Sequence, residues 1–136
     1  MPKLSKETMR FENKIVFISG GSKGIGLAAA KGFLSEKAKV IICSRAKENI
    51  ENAINELGEF GGEVYGEVGD LTNEHVVIGI FKKINKTFGG MDILVNSAGV
   101  SKAAKIEDIS QKEWHYILDN NLTNCFFTCK HVLKYM

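Results

Sequence analysis

An apolar run, Ile15-Val16-Phe17-Ile18, leads directly into Ser19-Gly20-Gly21-Ser22-Lys23-Gly24-Ile25-Gly26, and an Ala-rich amphipathic segment, Leu27 to Leu34, follows. No other stretch constrains the fold as strongly. Strand, glycine turn and helix in that order build a seat for phosphate. Glycine takes positive φ freely and lets backbone N–H groups approach an anion. The helix N-terminus then offers unpaired N–H groups and partial positive charge. The spacing excludes a Walker loop, because Lys23 precedes Gly24 instead of following the last glycine. A dinucleotide pattern G-x-G-x-x-G/A fits loosely on Gly24, Gly26 and Ala29, within a Gly-x-x-x-Gly-x-Gly at Gly20, Gly24 and Gly26. Taken alone, the same loop would also serve as an ordinary strand-to-helix turn.

Downstream, the pattern repeats. Lys39 to Ser44 carries a second apolar run, and Ile50, Ala53, Ile54, Leu57 and Phe60 recur at helical spacing up to Gly61-Gly62. Val64 to Val68 reads as a third strand. Asn73 is placed to cap a helix with Val77, Ile80, Phe81, Ile84 and Phe88 on one face, ended by Gly89-Gly90. Met91 to Val95 reads as a fourth strand. The last helix opens on a capping box, Ser110 to Glu113, and its spacing predicts an inward stripe of Trp114, Leu118, Leu122, Cys125, Cys129, Val132 and Met136. Asn121 falls on that stripe, between Leu118 and Cys125, and Asn120 is predicted to face outward. Apolar runs without polar alternation suit strands covered on both faces. The expected class is α/β, a doubly wound, Rossmann-like parallel sheet over residues 11–136, with 1–10 as a loose lead-in.

Composition narrows the partners. Eighteen basic and sixteen acidic residues, scattered, leave +2, which argues against nucleic acid or an anionic membrane. No apolar run approaches the ~20 residues of a membrane span, and Met1 to Arg10 has no secretory core. Cys43, Cys125 and Cys129 read as reduced thiols of an intracellular, cytoplasmic protein. Cys125 and Cys129 share a helix face, but no His or further Cys completes a metal site.

The glycine spacing resembles that of the short-chain dehydrogenase/reductase family, with Ser19 where a Thr is usual. The resemblance extends through Phe11-Glu12-Asn13-Lys14, Asp70, Asp92-Ile93-Leu94-Val95-Asn96, Trp114 and Asn121-Leu122. It implies a site for a nicotinamide dinucleotide made by Gly20, Ser22, Lys23, Gly24, Ile25 and Gly26. It assigns Asp70, followed by Leu71, to the adenine amino group, although an Asp there also suits a helix entry. Asn96-Ser97-Ala98-Gly99 looks like the family's Asn-Asn-Ala-Gly beside the ribose, and Asn96, Ala98 and Gly99 are the closer matches. Asn121 matches an Asn that supports a proton relay; a purely structural amide fits equally.

In a dinucleotide fold the end of the second strand meets the adenosine ribose. Here it reads Cys43-Ser44-Arg45, with no acid before Glu48. An acid would accept both ribose hydroxyls and repel a 2′-phosphate, whereas Arg45, Ser44 and Lys23 would bind one. NADP(H) is therefore expected over NAD(H).

The resemblance implies hydride transfer, as carbonyl reduction or alcohol oxidation, through a Ser and a Tyr-x-x-x-Lys. A phenol with pKa near ~10 needs a neighbouring cation to act as a base. Tyr65 and Tyr116 are followed four residues on by Gly69 and Asn120, and Tyr135 by nothing. This stretch thus corresponds to a cofactor-binding half, predicted inactive alone. The substrate would be a small carbonyl or alcohol compound of the completed domain. The fourth strand becomes an apolar edge, and the last helix, part of a dimer interface in the family, is left partly bare, so a homo-oligomer is expected. The other reading is a non-catalytic dinucleotide-binding or dimerising module.

Overall fold

The computed structural model describes residues 9–136. Most of the expected lead-in, residues 1–8, lies outside that range. Arg10 is tied down, its guanidinium paired with Glu36 at 2.7 Å.

Four strands, β1 (Ile15–Ser19), β2 (Lys39–Ser44), β3 (Glu63–Val68) and β4 (Ile93–Asn96), form one parallel sheet in the order β3-β2-β1-β4. Helices α1 (Gly24–Ser35), α2 (Lys47–Leu57) and α3 (Glu74–Phe88) make the crossovers. The doubly wound α/β expectation holds. Alternate residues of β1 and β2 enter two separate cores. Val16, Ile18, Val40 and Ile42 pack with Ala30, Leu34, Ile50, Ala53 and Leu57 of α1 and α2. Phe17, Ile41 and Cys43 pack with Val77, Ile80, Phe81 and Ile84 of α3, and with Val132. Phe17 meets Phe81 edge-on, 5.0 Å between ring centres. Both strand faces are thus buried, which is why these strands read as unbroken apolar runs.

The local punctuation works as expected at three points. Asn73 Oδ1 accepts from the His75 N–H at 3.0 Å. Gly89 ends α3 in the left-handed region, φ 83°. Ser110 and Glu113 form both bonds of the capping box.

Other boundaries move. Helix α2 ends at Leu57 with Gly58 as its cap, ahead of Gly61-Gly62. That glycine pair serves the entry to β3: Gly61 has φ +59°, and a Cβ on Gly62 would lie 2.5 Å from the Ala38 carbonyl oxygen. Strand β4 starts at Ile93, because Asp92 turns its carboxylate to the Ile15 N–H at 2.8 Å and Met91 donates to Tyr135 O.

The last helix is the main correction. It comprises α4 (Gln111–Leu118), a π turn at Asp119–Thr123 and α5 (Asn124–Val132). The stripe expected to face inward does so only at Val132, with Leu118 and Cys125 part-buried: Trp114 is 52%, Leu122 64% and Met136 57% exposed. Asn124 and Thr128, outside that stripe, join Val132 on the buried face, with Phe127 packed on the α3 side of the sheet. Thr128 Oγ1 donates to Asn96 Oδ1 at 2.7 Å, and His131 Nε2 and Lys130 Nζ each lie 2.7 Å from Glu74. Polar bonds to β4 and α3, rather than apolar periodicity, select the face. Strand β4 pairs with β1 only, leaving its other edge open among the described residues.

Candidate functional site

Chain order reverses between β1 and β4, and an open α/β sheet forms a crevice beyond the strand ends at such a point. A groove of about 410 Å³ opens there. It is lined by the glycine loop, the ends of β2 and β3, the segment after β4, and the π turn of the last helix.

The glycines have distinct tasks. Gly20 has φ +66°, and a Cβ on it would lie 2.7 Å from Ala98 Cα. Gly26 lies beneath the loop, where a Cβ would fall 2.3 Å from the Gly20 carbonyl oxygen. It packs the turn and does not line the groove. Gly24 has φ +53° and open space around it. Helix α1 starts there with no side-chain cap from Lys23 and no acid in its first turn. Its N–H groups and dipole therefore face the groove without an internal anion, an arrangement that fits a pyrophosphate.

Ser19, buried at the end of β1, holds the loop to its neighbour. Its Oγ accepts from Ser97 N and Ala98 N, both at 3.1 Å. Ser22, Lys23 and Ile25 line the groove with Ser44 and Arg45. Asn49, in the first turn of α2, joins them. Among the described residues neither Lys23 nor Arg45 makes an ion pair, so neither positive charge in the groove is neutralised by a carboxylate.

Asp70 lines the floor with Leu71 and Thr72. Its Oδ1 accepts from the Thr72 N–H at 3.0 Å and hydroxyl at 2.7 Å, which leaves the second carboxylate oxygen for another donor. The Leu71 side chain is buried in the core. Cys43 also touches the groove, but burial first, and then the charge of Glu67, push its thiol up to about 12. It stays protonated and is no nucleophile.

Ala98 and Gly99 line the groove, with Ser97 and Val100. Asn96 does not. Its amide turns to the last helix, to Thr128 and the Cys129 sulfur. Asn121 lies outside the groove as well. Its amide clasps Val100, donating to the carbonyl at 2.9 Å and accepting from the N–H at 3.2 Å, while also donating to Ile117 O. Gly99 is required by this clasp, since a Cβ would lie 2.6 Å from Asn121 Oδ1.

Asn120, expected to face outward, is in the groove with Asn124. Asn124 donates to Asn120 O at 2.7 Å. The π turn adds a residue to the helical repeat and shifts the face that follows, so counting by 3.6 from Trp114 misplaces both. The run Asp119-Asn120-Asn121-Leu122-Thr123-Asn124, polar within a helix, was the available signal.

The parallel sheet, the glycine turn at its switch point and the uncapped α1 define a scaffold of the dinucleotide-binding type. The chain belongs to the short chain dehydrogenase family, which it matches over residues 14–136. It is 33% identical over 128 residues to a 3beta-hydroxysteroid dehydrogenase of Mediterraneibacter gnavus, covering 93% of this chain and 46% of that protein. It is 34% identical to an uncharacterized oxidoreductase of Bacillus subtilis, covering 94% and 48%. Among solved structures, the L-sorbose reductase of Gluconobacter frateurii, complexed with NADPH and L-sorbose, superimposes with TM-score 0.87 at 28% identity, over 95% of this chain and 49% of that one. A short-chain dehydrogenase/reductase from Mycobacterium ulcerans gives 0.88 at 26%, over 93% and 47%. The chain thus spans about half the length of the relatives it matches. Among the described residues no helix is long and apolar enough to cross a membrane.

Proposed function

We propose that this chain supplies the cofactor-binding part of an NADP(H)-dependent oxidoreductase that reduces a carbonyl or oxidises an alcohol. The bound nicotinamide would supply or take the hydride. The chain's own residues bind and orient it. The α1 N-terminus with Gly20, Ser22 and Gly24 would hold the pyrophosphate, Ala98 and Gly99 would pass the ribose, and Asp70 would meet the adenine edge. One observation carries the cofactor preference. The end of β2 presents Ser44 and Arg45, which makes no ion pair among the described residues, to the groove that Lys23 also lines, and no carboxylate stands at that strand end. The NADPH bound by the Gluconobacter frateurii relative is consistent with this reading.

No Tyr-x-x-x-Lys occurs within residues 1–136, and we infer that this stretch alone would bind the dinucleotide without turnover. Asn121 would then support catalysis through Val100. The bare stripe of the last helix and the open edge of β4 support self-association. The composition favours a cytoplasmic setting. Titration of the chain with both cofactors tests the proposal: NADPH binds at least tenfold tighter than NADH, and Arg45→Asp reverses the order. Tighter NADH binding in the unaltered protein would overturn it.

A further inference from the structure

Two groove residues 75 positions apart meet across its mouth: Arg45 Nη1 donates to Asn120 Oδ1 at 3.4 Å. Asn120 is not free to turn. Its Nδ2 donates to the Tyr116 carbonyl at 2.9 Å, and a carbonyl only accepts, so the amide oxygen is left toward Arg45. Its own carbonyl is held by Asn124 Nδ2 at 2.7 Å. The π turn Asp119–Thr123 fixes the segment that presents it. Asn120 Oδ1 is therefore a fixed neutral acceptor beside a cation that has no other hydrogen-bond partner among the described residues.

We propose that Asn120 is a specificity-determining positioning residue: it holds the Arg45 guanidinium over the adenosine end of the groove, ready for a 2′-phosphate. This rests on the NADP(H) reading of Arg45. The guanidinium has five N–H donors, and the contact uses one Nη, leaving Nε and the other Nη for a two-point bond to phosphate. A neutral partner orients the cation without cancelling its charge. A carboxylate at the same place would pair with it and repel the phosphate. Holding a long side chain in its bound rotamer removes part of the ordering cost at binding, a gain of roughly three- to tenfold in affinity. NADH, which carries a 2′-hydroxyl, gains none of it.

The test is titration of the full chain with NADPH and with NADH, read by cofactor fluorescence. Asn120→Ala weakens NADPH three- to tenfold and leaves NADH within twofold. Asn120→Ser gives the same result with the helix preserved, since a serine hydroxyl can donate to the Tyr116 carbonyl but is too short to reach Arg45. Asn120→Asp weakens NADPH further. In an Arg45→Ala background, Asn120→Ala has no additional effect. If Arg45→Ala leaves the NADPH/NADH ratio unchanged, the cofactor reading itself is wrong. If Arg45→Ala collapses the ratio while Asn120→Ala and Asn120→Ser leave it intact, only the role of Asn120 is overturned. Equal weakening of both cofactors overturns it too, because a residue that merely shapes the groove would do that.

Discussion

Ser19→Ala is the sharpest test of how the groove is built. The residue is 2% exposed, and its hydroxyl oxygen accepts from two backbone amides of the segment after β4. The two amides fare differently when it is removed. Ser97 N also donates to the Ser19 carbonyl at 3.2 Å, so it keeps a partner. Ala98 N has only the hydroxyl. One orphaned amide costs about 1–3 kcal/mol, and Ala98 is half-buried, so water reaches it in part and the lower end applies, about 1–2 kcal/mol. For a domain of this size that is a fall in Tm of roughly 3–8 °C. Urea unfolding followed by the fluorescence of Trp114 should show a lower midpoint with an unchanged m-value. Because Ala98 abuts Gly20, NADPH and NADH should weaken together. A stability loss below about 0.5 kcal/mol would show that the hydroxyl is dispensable and refute the reasoning.

Gly26→Ala would set a methyl against the Gly20 carbonyl and Gly21 Cα, backbone on both sides, and should cost about 1–3 kcal/mol and weaken both cofactors; Gly24→Ala meets no atom and should cost only its strain at φ +53°, about 1 kcal/mol. Thiol titration of the native chain should label exposed Cys129 first and Cys125 more slowly, since burial and its neighbour Cys129 raise the Cys125 pKa, while Cys43 reacts only on unfolding. Lys130 first, and His131 second, hold the Glu74 carboxyl below its ordinary value of 4.5. A depressed folded-state pKa stabilises at neutral pH and is lost as pH falls through it, so the protection of α5 amides relative to their intrinsic exchange should fall below pH about 4.5, and Glu74→Gln should remove that dependence.

The local rules and the non-local ones divide this molecule. Gly20, Gly24, Asn73, Gly89 and the Ser110–Glu113 box were legible because each answers a demand made within a few residues: a positive φ, an orphan N–H, a helix end. The unbroken apolar runs of β1 and β2 announced a sheet covered on both faces. Arg45 and Lys23 could be placed because the fold fixes where the end of β2 and the glycine loop lie.

The rest depended on partners distant in sequence. Asn96 was read within a stretch that both stabilises the sheet and passes the ribose with its backbone; its side-chain amide goes to Thr128, 32 residues away. Asn121 serves Val100 rather than the groove, and Asn120 reaches Arg45. The largely exposed stripe of the last helix shows the cause most plainly. Apolar spacing reports which face can be buried, not which neighbours are present, and here hydrogen bonds to β4 and ion pairs to α3 fixed the rotation. Sequence alone determined that a glycine turn follows the first strand of a doubly wound sheet. Only the tertiary structure decided which amides close around it, because a hydrogen bond is satisfied by whatever the fold brings within reach, and that distance is not encoded in local spacing.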